Sequence, residues 1–300
     1  MKIVVTGNIN LEPNQVERLK SLGEVSFLDD TLSKEEIFNK LSQADIICAE
    51  SEPIADVIYD LKDKLISFPF VGVGWLDLKR LSGNNVKIAN APGCNKAAVS
   101  EWIIGMMIML SRKLLKYIDT DSVREEDFLG RIPGLTGKKV AMLGKGNVGS
   151  TVGKICEAFD MEVDYFLEGD DLLSSVKDSD FVVNCLANNS ETKGLLGKEF
   201  FQSLKEGSFF LSVTDTDIYD IGGLISALDS GHLGGAAIDP AGIGIFDAEG
   251  DVYLKLKNHP KIIATPHIAF HTDLTTRRAN NIMIDNVEAW INGKPINVIS

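Results

Sequence analysis

The sequence predicts an α/β protein made of two doubly wound domains, each a parallel sheet with helices on both faces. Short apolar strands alternate with helical segments along most of the 300 residues, and such alternation is typical of parallel sheets. A glycine motif, residues 144–149, stands between a strand and a helix. A chain of this length also buries enough surface for two separate cores.

The glycine motif lies inside a complete βαβ unit. Residues 139–143 form a short apolar strand, residues 147–159 carry apolar side chains at helical spacing, and residues 162–166 form the next strand. In this setting the spacing Gly-x-Gly-x-x-Gly indicates a dinucleotide-binding loop. The alternative is a glycine-rich turn in another kind of α/β protein.

Each glycine of the motif has a physical task in binding a dinucleotide. Gly144 allows the tight turn, Gly146 lets the backbone approach a pyrophosphate, and Gly149 lets the helix pack closely on the strand. The unpaired amides at the helix start, around Asn147 and Val148, attract the phosphate charge. We therefore predict that these five residues bind the cofactor.

Acidic residues follow the second strand of this unit. Glu168 stands just past the strand end, where it would accept hydrogen bonds from the hydroxyls of the adenosine ribose. Asp170 and Asp171 add negative charge where a ribose 2′-phosphate would lie, and no Arg or Lys stands among them. The sequence therefore predicts NAD(H) rather than NADP(H).

The chain before the glycine motif predicts one α/β domain by itself. Strands are expected near residues 2–6, 24–28, 45–49, 65–71 and 86–89, with helices near 13–22 and 33–43. Ser33 with Glu36 forms a capping box, and Pro13 suits a first helical turn.

The chain after the glycine motif completes a six-stranded sheet of the dinucleotide-binding kind. Four further strands are expected near residues 181–186, 208–213, 235–238 and 261–264, with helices near 198–205 and 221–229. A last helix, near residues 273–292, is expected to return the chain to the first domain.

Composition excludes several classes of protein. The net charge of −13 argues against a nucleic-acid surface. The longest apolar run is too short to span a bilayer. The four cysteines form no Cys-x-x-Cys pair, so no metal site is expected, and reduced thiols predict a cytoplasmic protein.

Two glycines mark a loop in the first domain. Gly72, Val73 and Gly74 end an apolar run, and a loop of this kind exposes backbone amides to an anion. A plain strand-to-helix turn with Asp77 as its cap explains the same residues equally well.

A linker and a long apolar helix connect the two domains. Residues 90–95 have the composition of a linker, and residues 96–117 form a helix that is apolar over a broad face. We expect that helix to be buried between domains. The same face predicts a homodimer, and burial of the helix within one subunit is the competing explanation.

These motifs together resemble the D-2-hydroxyacid dehydrogenase family along nearly the whole chain. The matching segments occur in the family's order: 72–77, 90–101, 144–149, 236–239 and 265–272. The resemblance implies NAD(H) and the reduction of small 2-oxo acids to 2-hydroxy acids. It implies two Rossmann/flavodoxin-like domains, the NAD-binding domain (92–270) being inserted into a discontinuous substrate domain (1–91 and 271–300).

The resemblance also implies roles for individual residues. His267 matches the proton donor, with His271 as a weaker rival. Gly72, Val73, Gly74 and Asn95 match substrate-binding positions, and Asp239 matches a cofactor-binding position.

The chain departs from the family where the substrate is held. Asp215 stands where the family has an Arg that clamps the substrate carboxylate, and Gly244 stands where it has the Glu that keeps the His protonated. Leu167 replaces the usual ribose-binding Asp, which leaves Glu168 one position further on. Replacing a cationic clamp by a carboxylate turns attraction of a 2-oxo acid into repulsion.

Three readings of this site follow. The first is an oxidoreductase whose altered substrate, not a simple 2-oxo acid, presents a cationic or hydroxyl group to Asp215. The second is a catalytically silent relative that binds NAD(H), or a partner, for regulation. In the third, Asp247 or Glu249 with a nearby Lys supplies the missing groups.

Overall fold

The computed structural model describes residues 1–6, 9–29, 31–118, 132–240 and 250–299. The chain forms two compact units: unit 1 is Met1–Asn95 with His271–Ser300, and unit 2 is Lys96–Phe270. Each unit contains one all-parallel sheet with helices between its strands, which confirms the predicted α/β class. The first boundary follows residue 95 because Ala91 and Cys94 pack against Ala279 of the last helix.

Unit 1 is a five-stranded sheet in the order β2-β1-β3-β4-β5. Its strands are β1 (Lys2–Thr6), β2 (Glu24–Phe27), β3 (Ile46–Ala49), β4 (Lys64–Ser67) and β5 (Val86–Ala89). Its helices are α1 (Pro13–Leu22), α2 (Lys34–Ser42), α3 (Ser51–Ala55), α4 (Leu78–Gly83) and α12 (Asp273–Ile291), with a 3-10 turn at Ile58–Asp60. Apolar side chains cover both faces of this sheet.

Local sequence signals set the helix starts of unit 1. Ser33 caps α2, and the Glu36 side chain accepts the Ser33 amide in return, as the capping box predicts. Pro13 occupies the first turn of α1. Asp77 caps α4 by accepting the Arg80 amide at 3.0 Å.

The prediction of a strand over residues 65–71 is wrong at its end. Strand β4 stops at Ser67. Pro69 has no amide hydrogen to donate to a neighbouring strand. Residues beyond β4 still form backbone hydrogen bonds with the segment around the end of β5. The Phe68 amide donates to the Ala89 carbonyl, and the Ala91 amide donates to the Phe70 carbonyl. The loop at residues 72–74 therefore follows irregular backbone rather than a strand.

Unit 2 is a six-stranded sheet in the order β11-β10-β9-β8-β6-β7. Its strands are β6 (Lys139–Leu143), β7 (Glu162–Phe166), β8 (Phe181–Asn184), β9 (Phe209–Ser212), β10 (Gly235–Ile238) and β11 (Ile262–Ala264). Its helices are α5 (Lys96–Ser111), α6 (Leu114–Ile118), α7 (Asn147–Ala158), α8 (Leu172–Val176), α9 (Lys198–Ser203), α10 (Ile221–Asp229) and α11 (Asp251–Lys257), with a 3-10 turn at Thr216–Ile218.

The single helix predicted over residues 96–117 is two helices. Lys113 has φ +51°, and its amide donates to the Leu110 carbonyl in a tight turn. A left-handed residue of this kind ends a helix. Helix α5 packs Val99, Ile103 and Met107 into the core of unit 2.

No helix within the described ranges is long and apolar enough to cross a membrane.

Candidate active site

The glycine loop of unit 2 has the shape that a dinucleotide requires. Gly144 has φ +98°, a value that side chains oppose, and a Cβ there would lie 3.2 Å from the Cys185 carbonyl oxygen. A Cβ on Gly149 would lie 2.2 Å from the Gly144 carbonyl oxygen, so only glycine lets α7 approach the loop. A Cβ on Gly146 would meet nothing within 4 Å. The loop therefore combines tight packing on the protein side with open space at Gly146.

Helix α7 starts directly at this loop. Gly146 is the N-cap of α7 and provides no side-chain cap. The first amides of the helix, including those of Asn147 and Val148, therefore have no intrahelical acceptor. This arrangement, with the open Gly146, fits the pyrophosphate of NAD(H).

Carboxylates line the turn after β7, but most of them have local partners. Asp170 accepts the Leu167 amide at 2.8 Å. Asp171 caps α8 and accepts the Ser174 hydroxyl at 2.7 Å. Glu168 is exposed, and its carboxylate bonds to no other residue in the described part of the chain. Of the three acidic residues predicted to face the ribose, Glu168 is therefore the one whose oxygens are unengaged.

Asp239, just past β10, is a buried carboxylate at the carboxyl edge of the sheet. It accepts the Thr265 hydroxyl and the Ile268 amide through one oxygen and the Ala269 amide, at 2.8 Å, through the other. These donors all belong to the turn that follows β11. Asp239 thus fixes the loop on which His267 stands.

His267 occupies a strained position at the centre of that turn. Its φ is +56°, and its amide donates to the Thr265 carbonyl two residues earlier. Its ring packs edge-on against Phe270, with centroids 5.2 Å apart. Non-glycine residues with positive φ are uncommon and mark turns held by their surroundings. The imidazole is partly exposed at the carboxyl edge of the sheet.

Asp215 lies at the same edge, three residues past β9. Strands β9 and β11 flank β10, so the strand ends before Asp215 and His267 lie about 10 Å apart. Asp215 begins the 3-10 turn without capping it. Burial raises the pKa of the Tyr219 hydroxyl, the nearby Ser212 hydroxyl lowers it, and the negative charge of Asp215 raises it. Asp215 itself is partly exposed.

A buried polar network supports the segment that carries Asp215. The Asn184 side chain, at the end of β8, donates to the Thr214 hydroxyl at 2.8 Å and the Ser212 hydroxyl at 3.2 Å. The Leu186 amide donates to the Asn184 oxygen at 3.2 Å. The motifs in the sequence do not predict this network; its one local signal is the single Asn that closes an apolar strand.

No cation among the described residues neutralises Asp215. Lys193 pairs with Asp217, two residues further along the chain than Asp215, at 3.0 Å. The Asp215 carboxylate therefore lies at this edge of the sheet without an ion-pair partner among the described residues.

The substrate-binding residues predicted from the resemblance lie in unit 1. Gly72 and Gly74 have no atom within 4 Å of an added Cβ, and the Val73 carbonyl closes a short turn with the Leu76 amide. Asn95 directly precedes α5 and is partly buried. The open loop is compatible with an anion-binding site. Asp77 also caps α4, as expected of a plain strand-to-helix turn, so both interpretations of this loop stay open.

Gly244, Asp247 and Glu249 lie outside the described residues. In the parts of the chain that are described, no group of three or more His, Cys, Asp or Glu side chains could hold a metal ion.

Comparison with known proteins gives the family. Residues 104–269, more than half of the chain, match the model of the D-isomer specific 2-hydroxyacid dehydrogenase NAD binding domain. A glycerate dehydrogenase of Methylorubrum extorquens is 27% identical over 292 residues, covering 90% of each chain. A hydroxypyruvate reductase of Blautia hydrogenotrophica is 25% identical over 334 residues, covering 100% of each.

A solved structure shares the fold over its whole length. It is an acyclic imino acid reductase in complex with NADPH and D-Arg, with a TM-score of 0.83 at 20% identity and 100% coverage of both chains. The family match includes the glycine loop, Asp215, Asp239 and His267. The chain therefore belongs to the D-isomer specific 2-hydroxyacid dehydrogenase family, and its cofactor is NAD.

Proposed function

We propose that the chain is an NAD-dependent oxidoreductase whose substrate presents a positively charged or hydroxyl-bearing group to Asp215, rather than a free 2-oxo carboxylate. The observation that carries this proposal is the carboxylate of Asp215 at the carboxyl edge of the sheet, with no described cation beside it. A carboxylate repels another carboxylate in a closed site by several kcal/mol, on the order of a thousandfold in affinity.

The proposed reaction assigns one task to each side chain. NADH supplies the hydride to the carbonyl carbon when it is bound. His267 donates a proton to the carbonyl oxygen, which becomes the hydroxyl of the product. Asp239 holds the His267 turn through its bonds to Ile268 and Ala269, and Asp215 orients the substrate by binding its donor group.

A second candidate binding loop lies in unit 1. We propose that the backbone amides of its open loop at Gly72, Val73 and Gly74, with Asn95, bind a polar or anionic group. One solved structure with this fold is the acyclic imino acid reductase in complex with NADPH and D-Arg. At 20% identity that likeness supports the fold, so the substrate class rests on Asp215.

A screen of NADH oxidation tests the proposal. Candidate substrates are simple 2-oxo acids, neutral aldehydes, aldehydes that carry an amine or guanidinium group, and imines formed from amines. We expect turnover to favour the cationic compounds over glyoxylate, pyruvate and hydroxypyruvate. Efficient turnover of a simple 2-oxo acid by the wild type would contradict the assignment of Asp215.

The second candidate is a silent relative that binds NAD(H) for regulation, favoured by the absence of the family's Arg at Asp215. Direct titration of NADH separates the two. Tight binding with no turnover of any compound in the screen supports this role, whereas turnover excludes it.

We also propose a homodimer, formed through the apolar surface of α5 and α6. Helix α5 keeps Met106 and Leu110 partly exposed, and α6 exposes 46% of Leu115 and 72% of Ile118. Exposed apolar side chains that follow one another along a helical segment are typical of an interface between subunits.

A further inference from the structure

The corner where the glycine loop meets the end of β7 carries two charges that the proposed reaction does not use. The Gly144 amide donates to the Phe166 carbonyl at 3.2 Å, which joins the loop to the strand end. Lys145 follows Gly144, and Glu168 stands two residues after Phe166. Both side chains are exposed. One cation and one anion therefore border the same corner.

The protein holds the Lys145 cation in place. Its Nζ lies 4.5 Å from the centroid of the Tyr165 ring, a cation–π contact. The Tyr165 hydroxyl occupies the space that a Cβ on Gly153 would need, at 2.0 Å, so the ring itself is fixed against α7. The Ser150 hydroxyl donates to the Lys145 carbonyl at 2.9 Å.

Other charges of the corner are already engaged. Lys139 pairs with Asp164 at 2.7 Å and with Glu162 at 3.6 Å. Asp170 and Asp171 serve the Leu167 turn and the α8 cap. Within the described chain, Lys145 forms no ion pair with a carboxylate, and Glu168 forms none with a cation.

We propose that Lys145 is an anion-binding residue for the adenosine half of the dinucleotide, and that Glu168, whose carboxylate has no partner among the described residues, is the main group that prevents Lys145 from binding a ribose 2′-phosphate. NAD presents ribose hydroxyls, which donate to Glu168. NADP presents a phosphate monoester with a charge of about −1.5 to −2, which Glu168 repels and the ring-held Lys145 attracts. The corner is thus one substitution away from accepting NADP(H).

Three variants test this on the full chain: Glu168→Ser, Lys145→Met and the double variant. Lys154→Met is the matched control, since Lys154 is exposed on the same helix α7 and outside the corner. Dissociation constants for NADH and NADPH are measured by fluorescence titration at several salt concentrations. This readout does not depend on turnover.

We expect the wild type to prefer NADH. Glu168→Ser removes one repulsion and should tighten NADPH binding by about tenfold or more. Adding Lys145→Met removes one attraction and should weaken NADPH binding again by about tenfold. NADPH binding to the single variant Glu168→Ser should also depend more steeply on salt than binding to the double variant. Lys154→Met should leave both constants unchanged.

Two results would overturn the proposal. One is NADPH binding by Glu168→Ser that is unaffected by Lys145→Met. The other is an equal loss of NADH and NADPH affinity in Lys145→Met, which would place Lys145 on a group that both cofactors share. If Glu168→Ser fails to fold, Glu168→Gln repeats the test. The role of the aromatic ring is tested separately in the Glu168 variant. Tyr165→Leu removes the ring but not the Lys145 charge and should weaken NADPH binding, whereas Tyr165→Phe keeps the ring and should preserve it.

Discussion

The carboxylate of Asp239 accepts the backbone amide of Ala269 at 2.8 Å, across 30 residues of chain. Asp239 ends one strand, and Ala269 closes the turn after the next strand of the sheet. Because His267 lies inside that turn with φ +56°, the bond holds in place a backbone shape that a histidine would otherwise avoid. The position of the proposed proton donor therefore depends on a carboxylate far from it in sequence.

Replacing Asp239 by Asn should destabilise the protein and reduce turnover. One carboxylate oxygen becomes an NH₂ group that faces backbone N–H donors, so a buried donor is left unpaired at a cost of about 1–3 kcal/mol. Thermal unfolding and NADH oxidation measure the two effects. Asp229→Asn is the control, because Asp229 is exposed and pairs with His259 at the surface. An equally small effect of both substitutions would contradict the role assigned to Asp239.

Replacing His267 by Asn should lower kcat by about 10²–10⁴-fold, the usual contribution of a general acid. Asn tolerates positive φ, so the turn and NADH binding should be preserved. The rival donor is tested by His271→Asn, which should keep most of the activity. Loss of turnover in His271→Asn but not in His267→Asn would transfer the role to His271.

Asp215→Arg should create measurable reduction of glyoxylate, pyruvate or hydroxypyruvate. The new guanidinium offers a bidentate fork to the substrate carboxylate, and KM should fall by at least about tenfold. Asp217→Arg makes the same change of charge two residues away, at a site that pairs with Lys193, and should not produce this activity. A gain shared by both variants would indicate a general field effect rather than a clamp at position 215.

The proposed homodimer is tested at the apolar side chains of α5 and α6. We expect a dimer at micromolar concentration by light scattering, and a shift toward monomer when Leu115 and Ile118 are both replaced by Glu. Charges on an apolar interface lose their hydration without gaining a partner. A monomeric wild type would rule out the dimer, and the variant's unfolding temperature shows whether its fold is intact.

Buried thiols predict how stability responds to alkaline pH. Burial raises the pKa of Cys48 and of Cys156 from 9.0 to about 12. Above pH 9 the unfolded chain ionises these thiols while the folded chain does not, so their contribution is complete below that pH and is lost as the pH rises toward 12. The free energy of unfolding should therefore fall above pH 9, and less steeply in Cys48→Ala. An equal slope in both proteins would contradict this.

The sequence by itself predicted the fold class, because short-range periodicity determines strands and helices. Alternation of apolar runs with helical stripes placed all six strands of unit 2, and the glycine spacing located the loop between β6 and α7. Local side-chain chemistry likewise predicted the Ser33 cap. The candidate site residues follow from motif positions, and their roles stay predictions that the experiments above test.

The tertiary structure decided which groups share partners. Nothing near Asp239 in sequence indicates that its oxygens hold the His267 turn, and nothing near Lys145 indicates that Tyr165 holds its charge. Asp170 and Asp171 resembled Glu168 in sequence, yet the local turn and cap engage them and leave Glu168 unengaged. The physical reason is that hydrogen bonding, burial and charge pairing depend on atoms brought together by packing across tens of residues, whereas periodicity and capping depend on neighbours within one or two turns.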